Sequence, residues 1–435
     1  MSPALPATWR RFSARDQLLL LLALAIHLGL AAFFGHVYDT RIFMATGYLV
    51  GTGQNPYIAQ DLRQVFNHPD FTGMTSIGYL PPWPLALGLL YRVSYALVPN
   101  LFLYNLVLKL PVIAANVGLA YGVAGLLKRL GAAAAVARRA WLFMLFNPFL
   151  LLFSSAWGQF DSIVALLALQ ALILFRDKRL EASAVLLALA VALKPTPLPL
   201  LPMALLVLAE GSLRQAARYA IVLALALFVF CVVPFLAFGW DLTPILTHWN
   251  AHFTVGGGLS LMTFYELLAD RYQLPGYWWL LGLAWLPALG IGLAAFRGSG
   301  QGLATLLHKS LGLVLIFFLT RTWLSEPNIT LILPWVVILT SMGELDGRAL
   351  LAVWVLPLIF SFFNTSPQQM LFLSFPDLMA RLLQQAEQFR VARLIARIIV
   401  VIPWQIAGWW MVAQCLRRVR STGIKLNGNH AAAEA

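Results

Sequence analysis

The chain has 435 residues, 60% of them hydrophobic and only 11% charged, with a mean hydropathy of +0.79 and a formal net charge of +13. Soluble domains carry about a quarter charged residues, so a soluble enzyme, a disordered chain and a collagen-like fibre are excluded. Continuous apolar runs of about 20 residues exclude a barrel of alternating strands and predict an all-α polytopic transmembrane helical bundle. The excess of Lys and Arg then reads as the positive-inside bias of cytoplasmic loops, and no nucleic-acid partner is implied. Cys231 and Cys415 lie in apolar segments and imply no disulfide framework.

Arg10, Arg11 and Arg15 precede an apolar run over 17–35, which predicts a retained first span with a cytoplasmic N-terminus. Later basic clusters at Lys128/Arg129, Arg176/Lys178/Arg179, Arg214/Arg218, Arg297/Lys309, Arg348 and Arg417/Arg418/Arg420/Lys425 mark the same side. Between clusters the chain must cross an even number of times. That condition makes 102–127 the second span and leaves 36–99 as a large outer loop carrying interfacial helices. Residues 141–175 form a hairpin turning at Ala156–Ser162. Residues 181–210 form two short or re-entrant segments, broken at Lys194-Pro195-Thr196-Pro197-Leu198-Pro199. Residues 219–239 go out, 240–276 make a second outer loop, and 277–296 return. A tight hairpin over 311–341 turns at Ser325-Glu326-Pro327-Asn328; 350–363 go out, and 394–416 return after an amphipathic outer stretch. Roughly twelve crossings or re-entrant segments result. Residues 1–420 form one domain, and 421–435 a disordered cytoplasmic tail.

Polar residues gather in the turns assigned to one face. They include Asp39, Tyr79, Gln159/Asp161, Lys194, His248/Asn250/His252 and Glu326/Asn328. Solvation of loops explains Asp61 and Asp70. It does not explain Asp161 and Lys194, which stand in sharp turns of apolar hairpins where an unpaired charge costs several kcal/mol. His248 and His252 have helical i, i+4 spacing, but no third ligand completes a metal site. Lys109 and Asn116 read as hydrogen-bonding residues facing the bundle. No nucleotide-binding loop or serine-nucleophile elbow is present, and no cytosolic domain for a nucleotide-sugar is visible, so a transferase built on this chain would take its activated donor from a lipid within the bilayer.

The order of these motifs resembles a known family. Asp39 follows the first span; Gly53 to Tyr57 (Gly-Gln-Asn-Pro-Tyr) and Tyr79 to Pro82 (Tyr-Leu-Pro-Pro) follow in the loop. Asn147-Pro148 then precedes Trp157-Gly158-Gln159-Phe160-Asp161-Ser162, and Lys194-Pro195-Thr196-Pro197 comes after. Together they resemble the GT-C superfamily of integral-membrane glycosyltransferases, above all the GPI-anchor mannosyltransferase and its bacterial polyprenyl-phosphate-mannose-dependent relatives. The Gly-Gln-Phe-Asp turn is the most specific element. The paired acid of some members is absent, since Tyr38 and Thr40 flank Asp39; a divalent metal is not supported and no cofactor is implied.

The resemblance implies transfer of a hexose, mannose above all, with inversion from a polyprenyl-phosphate-sugar donor. The acceptor would be a glycan or glycolipid on the extracytoplasmic face; the basic clusters predict cytoplasmic termini, and the compactness of the chain predicts a prokaryotic plasma membrane. Asp39 would be the general base. Arg92, Lys194 and Arg321 would hold the lipid phosphate. Tyr79, Trp157, Gln159, Asp161, His248, Glu326 and Asn328 would line the sugar and acceptor pocket, with Trp157 and Tyr79 as flat faces for a sugar ring. A secondary transporter or lipid flippase is the alternative, because broken helices and intramembrane charges also mark transporters.

Overall fold

A computed structural model describes residues 13–58, 60–73, 76–247, 256–272, 281–298 and 302–431. Among these residues the chain is almost wholly helical, as an all-α bundle requires. Six helices are long and apolar enough to cross a membrane: Ala14–Phe33, Leu101–Arg129, Ala134–Ala156, Leu213–Phe238, Leu303–Thr320 and Arg390–Ser421. Four shorter apolar helices accompany them, Leu180–Leu193, Leu200–Gly211, Trp285–Ala295 and Gly347–Phe363. The protein is a multi-pass membrane protein.

Helices α1 (Ala14–Phe33) and α2 (Val37–Gly51) are separated by a three-residue break at Phe34-Gly35-His36. Helix α3 (Pro82–Arg92) packs along α2, and Gly47 permits the approach, since a Cβ there would lie 2.8 Å from the Leu87 carbonyl oxygen. The predicted loop of 36–99 therefore contains a packed helical pair. Helix α4 (Leu101–Arg129) follows, then α5 (Ala134–Phe146), α6 (Asp161–Arg176), α7 (Leu180–Leu193), α8 (Leu200–Gly211) and α9 (Leu213–Cys231). After the second loop come α10 (Trp285–Ala295), α11 (Leu303–Thr320), α12 (Leu333–Ser341), α13 (Gly347–Phe363), α14 (Pro376–Gln388) and α15 (Arg390–Ala431).

Helix α11 is the centre of the bundle. It is mostly apolar and nearly all its residues are buried, His308, Lys309 and Ser310 near its start included. Phe318 packs in one core with Phe149, Phe153, Trp335 and Trp404. At the rim, α9 leaves Leu213, Ile221, Leu225, Phe228 and Val229 exposed, the surface expected of a lipid-facing helix.

One expectation is corrected. Lys309 is not a loop cation: α11 begins at Leu303, and buried Lys309 donates to the Gly298 carbonyl at 2.8 Å. The last helix, α15, extends to Ala431. One pairing has no precedent in the apolar pattern. Gly257–Gly258 pairs in parallel with Trp323–Leu324, tying the second loop to the turn that carries Glu326.

Candidate active site

Asp39 sits in the first turn of α2, where unpaired backbone N–H groups favour a negative charge. The start of that helix is held by the chain that precedes it: Gly35 N–H donates to the Met370 carbonyl at 2.8 Å, and His36 Nε2 meets Gln369 Oε1 at 2.7 Å. His36 Nδ1 lies 3.4 Å from Asp39 Oδ2.

The second part is built from Asn147 to Asp161. Pro148 has no N–H and interrupts the ladder after α5, and the Asn147 side chain caps the restart by accepting from the Phe149 N–H at 2.9 Å. The wider π turn of Leu151–Ala156 then advances the chain, a feature that recurs at functional sites. It ends in Trp157, whose Nε1–H donates to Asp39 Oδ2 at 2.5 Å. Gly158 takes φ +92, and a Cβ there would also strike Lys109 Cε at 2.7 Å, so only glycine fits. Gln159 and Asp161 follow at the start of α6, with Ser162 Oγ bonded to Asn116 Oδ1 at 2.5 Å, as the bundle-facing reading of Asn116 predicts.

Lys194 ends α7 because the residue before a proline is driven out of the helical region; its backbone is extended, with φ −156. Its Nζ lies 2.7 Å from Asp161 Oδ2 and 3.5 Å from Gln159 Oε1, all three groups buried. The pair answers how two charges persist in apolar hairpins: each is the other's counter-ion. The second carboxylate oxygen of Asp161 is buried and unpartnered.

Tyr79 joins the two parts. Its phenol lies within electrostatic reach of both Asp39 and Asp161 and bonds to Gln159, and burial with those carboxylates holds it protonated. Lys194 Nζ stands 5.8 Å from the Tyr79 ring centroid. Glu326 is on the same side, buried and close enough to feel the charge of Asp39. Its Oε1 accepts from Asn364 Nδ2 at 3.1 Å; Arg397 bridges Asn364 Oδ1 and Glu266 Oε1, each at 3.0 Å. Burial, ahead of every other influence, pushes the Glu326 carboxyl up to about 7.

The structure thus brings together Asp39, Tyr79, Trp157, Gln159, Asp161, Lys194 and Glu326. Asn328 lies two residues beyond Glu326 with a buried, unpartnered Oδ1. Trp157 is not an open platform for a sugar ring. His36 covers one face at 4.1 Å and the residue is buried, so it presents its N–H to Asp39 instead. Arg92 is exposed and donates to the Gly51 carbonyl at 2.8 Å, at the far end of α2 from Asp39, about 18 Å along the helix axis at 1.5 Å per residue. It caps a helix there and takes no part in this cluster. Arg321 lies over the Phe317 ring at 4.9 Å, half-buried and without an acidic partner among the described residues. His248 lies outside the described residues, as do Asn250 and His252. Among the described residues no group of three His, Cys, Asp or Glu side chains is arranged to hold a metal.

His36, Gln369, Asn364 and Arg397 have no counterpart in the sequence reading. His36 stands one helical turn before Asp39, the one signal that points to it. The other three come from residues 364–397 and are placed only by folding.

A polytopic helical bundle with carboxylates, a buried lysine and aromatic rings gathered at interhelical turns fits a membrane glycosyltransferase, and the family comparison shows that class. The family model of glycosyltransferase family 87 matches residues 84–327, more than half of the chain, and the chain belongs to that GT-C-like family. The match takes in the Trp157–Asp161 turn, Lys194, Arg321 and Glu326, and begins after Asp39 and Tyr79. No curated protein matches the chain.

Proposed function

We propose that this glycosyltransferase moves a hexose, mannose in the first instance, from a polyprenyl-phosphate carrier to a hydroxyl of a glycan or glycolipid, with inversion. The observation that carries the reading is the position of Tyr79 between Asp39 on one side and the Lys194–Asp161 pair on the other. A carboxylate and a cation on either side of one buried tyrosine match the two demands of the reaction, a base for the acceptor and positive charge for the leaving phosphate.

Asp39 Oδ2 is engaged by Trp157, and Oδ1 has no hydrogen-bond partner among the described residues. In the proposed step the acceptor oxygen attacks the anomeric carbon while its proton passes to Oδ1. The bond from that carbon to the phosphate oxygen breaks, and the electron pair leaves on the phosphate. A base in this position contributes typically 10²–10⁴-fold. Lys194 and Arg321 are the cations proposed for the phosphate. The unpartnered acceptors of Asp161 and Asn328 suit sugar hydroxyls, and His248 is proposed to complete the pocket. We place the reaction on the extracytoplasmic face of a prokaryotic plasma membrane with both termini cytoplasmic, in keeping with the basic clusters. A transporter or flippase is not favoured by membership of a transferase family.

The test is to incubate purified protein with a panel of polyprenyl-phosphate monosaccharides and a mixed glycolipid extract, and to read products by mass spectrometry. A hexose added to a glycolipid, largest with the mannosyl donor, is expected. Transfer from a nucleotide-sugar alone would overturn the donor assignment.

A further inference from the structure

Lys109 is a buried cation in the middle of an apolar helix, and no carboxylate pairs with it among the described residues. Its Nζ donates instead to backbone carbonyls: Ala156 at 2.8 Å, Ala31 at 3.5 Å, and Phe34 through a short contact. One turn earlier on the same face of α4, Asn105 Nδ2 donates to Ala31 at 2.6 Å and Phe34 at 2.8 Å. The C-terminus of α1 and the end of the π turn thus meet on one ammonium. Both ends carry partial negative charge from carbonyls that lack helical partners, and a cation is the group that satisfies them.

The two segments are the ones that carry the site. Phe34 lies five residues before Asp39, and Ala156 immediately precedes Trp157. The Trp157–Asp39 hydrogen bond and the Lys109 bridge are therefore two rungs between the same pair of strands of chain. From this ring we infer that Lys109 is a positioning residue: it fixes the spacing of the Asp39 segment from the Trp157 turn, and so the aim of the carboxylate. This inference rests on the proposed role of Asp39 for its catalytic consequence, and on geometry alone for the spacing.

Two measurements on the full-length protein in detergent test it. In the first, backbone hydrogen exchange is compared between wild type and Lys109→Met. Exchange about tenfold faster, confined to 35–41 and 156–161, is expected of a lost local clamp. Unchanged exchange in those segments, or acceleration spread along all of α4, overturns the inference. In the second, kcat and KM with polyprenyl-phosphate-mannose are measured for Lys109→Met, Trp157→Phe and the double variant. Each single change should lower kcat about 30-fold with KM for the donor within threefold, and the double variant should be no more than about twofold worse than the poorer single one, because both break one ring. Losses that multiply mean that Lys109 acts elsewhere. If Lys109→Met does not give a monodisperse protein, Lys109→Gln, which keeps two N–H donors, takes its place with a smaller effect in the same direction. A wild type inactive with this donor removes the donor assignment and leaves the exchange result to decide the inference.

Discussion

The indole Nε1 of Trp157 donates to Oδ2 of Asp39 across 2.5 Å, joining residues 118 positions apart in the chain. Among the described residues, Oδ1 of the same carboxylate has no hydrogen-bond partner. Asp39→Asn keeps the side-chain shape and cannot take a proton, so transfer should fall by about 10²–10⁴-fold. The protein should elute and unfold as the wild type does. Full turnover by this variant would remove Asp39 as the base.

Lys194 and Asp161 form a buried pair at 2.7 Å. Removing one partner leaves the other charge buried, at a cost of about 3–5 kcal/mol. Lys194→Ala should therefore both lower the thermal midpoint and raise the requirement for lipid donor. The double change Lys194→Met/Asp161→Leu should recover much of the stability and none of the transfer. A double variant as active as wild type would reduce the pair to a structural role.

The two remaining arginines separate cleanly. Arg321 has no acidic partner among the described residues, whereas Arg92 is spent on a backbone carbonyl at the far end of α2. Arg321→Ala should raise the donor concentration needed for half-maximal rate by about tenfold or more, the scale of a lost charge-assisted contact. Arg92→Ala should change it less than twofold. Equal effects in titrations of donor would contradict the assignment.

Glu326 carries a pH dependence. Its carboxyl titrates near 7 in the folded chain against an ordinary 4.5, so the folded state holds the proton more tightly. Its contribution to stability is full below pH 4.5 and is lost as pH rises through about 7, up to roughly 3 kcal/mol at 1.36 kcal/mol per pKa unit. The thermal midpoint should fall between pH 5 and 8. Glu326→Gln, which can still accept from Asn364, should flatten that fall. An unaltered slope in the variant would assign the titration to another group.

At Gly158 a side chain meets both a φ of +92 and the Lys109 stem at 2.7 Å. Gly158→Ala should destabilise the protein by about 1–3 kcal/mol, seen as a lower thermal midpoint, and should lower kcat by displacing Trp157 and Gln159. A variant with wild-type kcat would show that the turn tolerates the shift.

Much of the architecture was open to inspection in the residues themselves. Hydropathy reaches far enough along the chain to mark α1, α4, α9, α11 and α15, because a membrane-spanning helix must be apolar over its whole length. Proline placed the break after Lys194 for a local steric reason, whereas the interruption at Asn147-Pro148 appeared only in the folded chain. Isolated charges in apolar hairpins pointed to Asp161 and Lys194, because burying either alone is costly. What they paired with was not legible, since a counter-ion 33 residues away leaves no mark on local composition.

Composition and the long apolar runs by themselves pointed to helices in a bilayer, and the prolines after Lys194 marked one place where a helix stops. Only the folded bundle decided that Trp157 donates to Asp39, that Arg92 sits at the end of α2, and that residues 364–397 supply Asn364, Gln369 and Arg397. Backbone preferences act within a few residues, whereas side-chain contacts between turns depend on how helices lie against one another, and that is fixed by packing over the whole core.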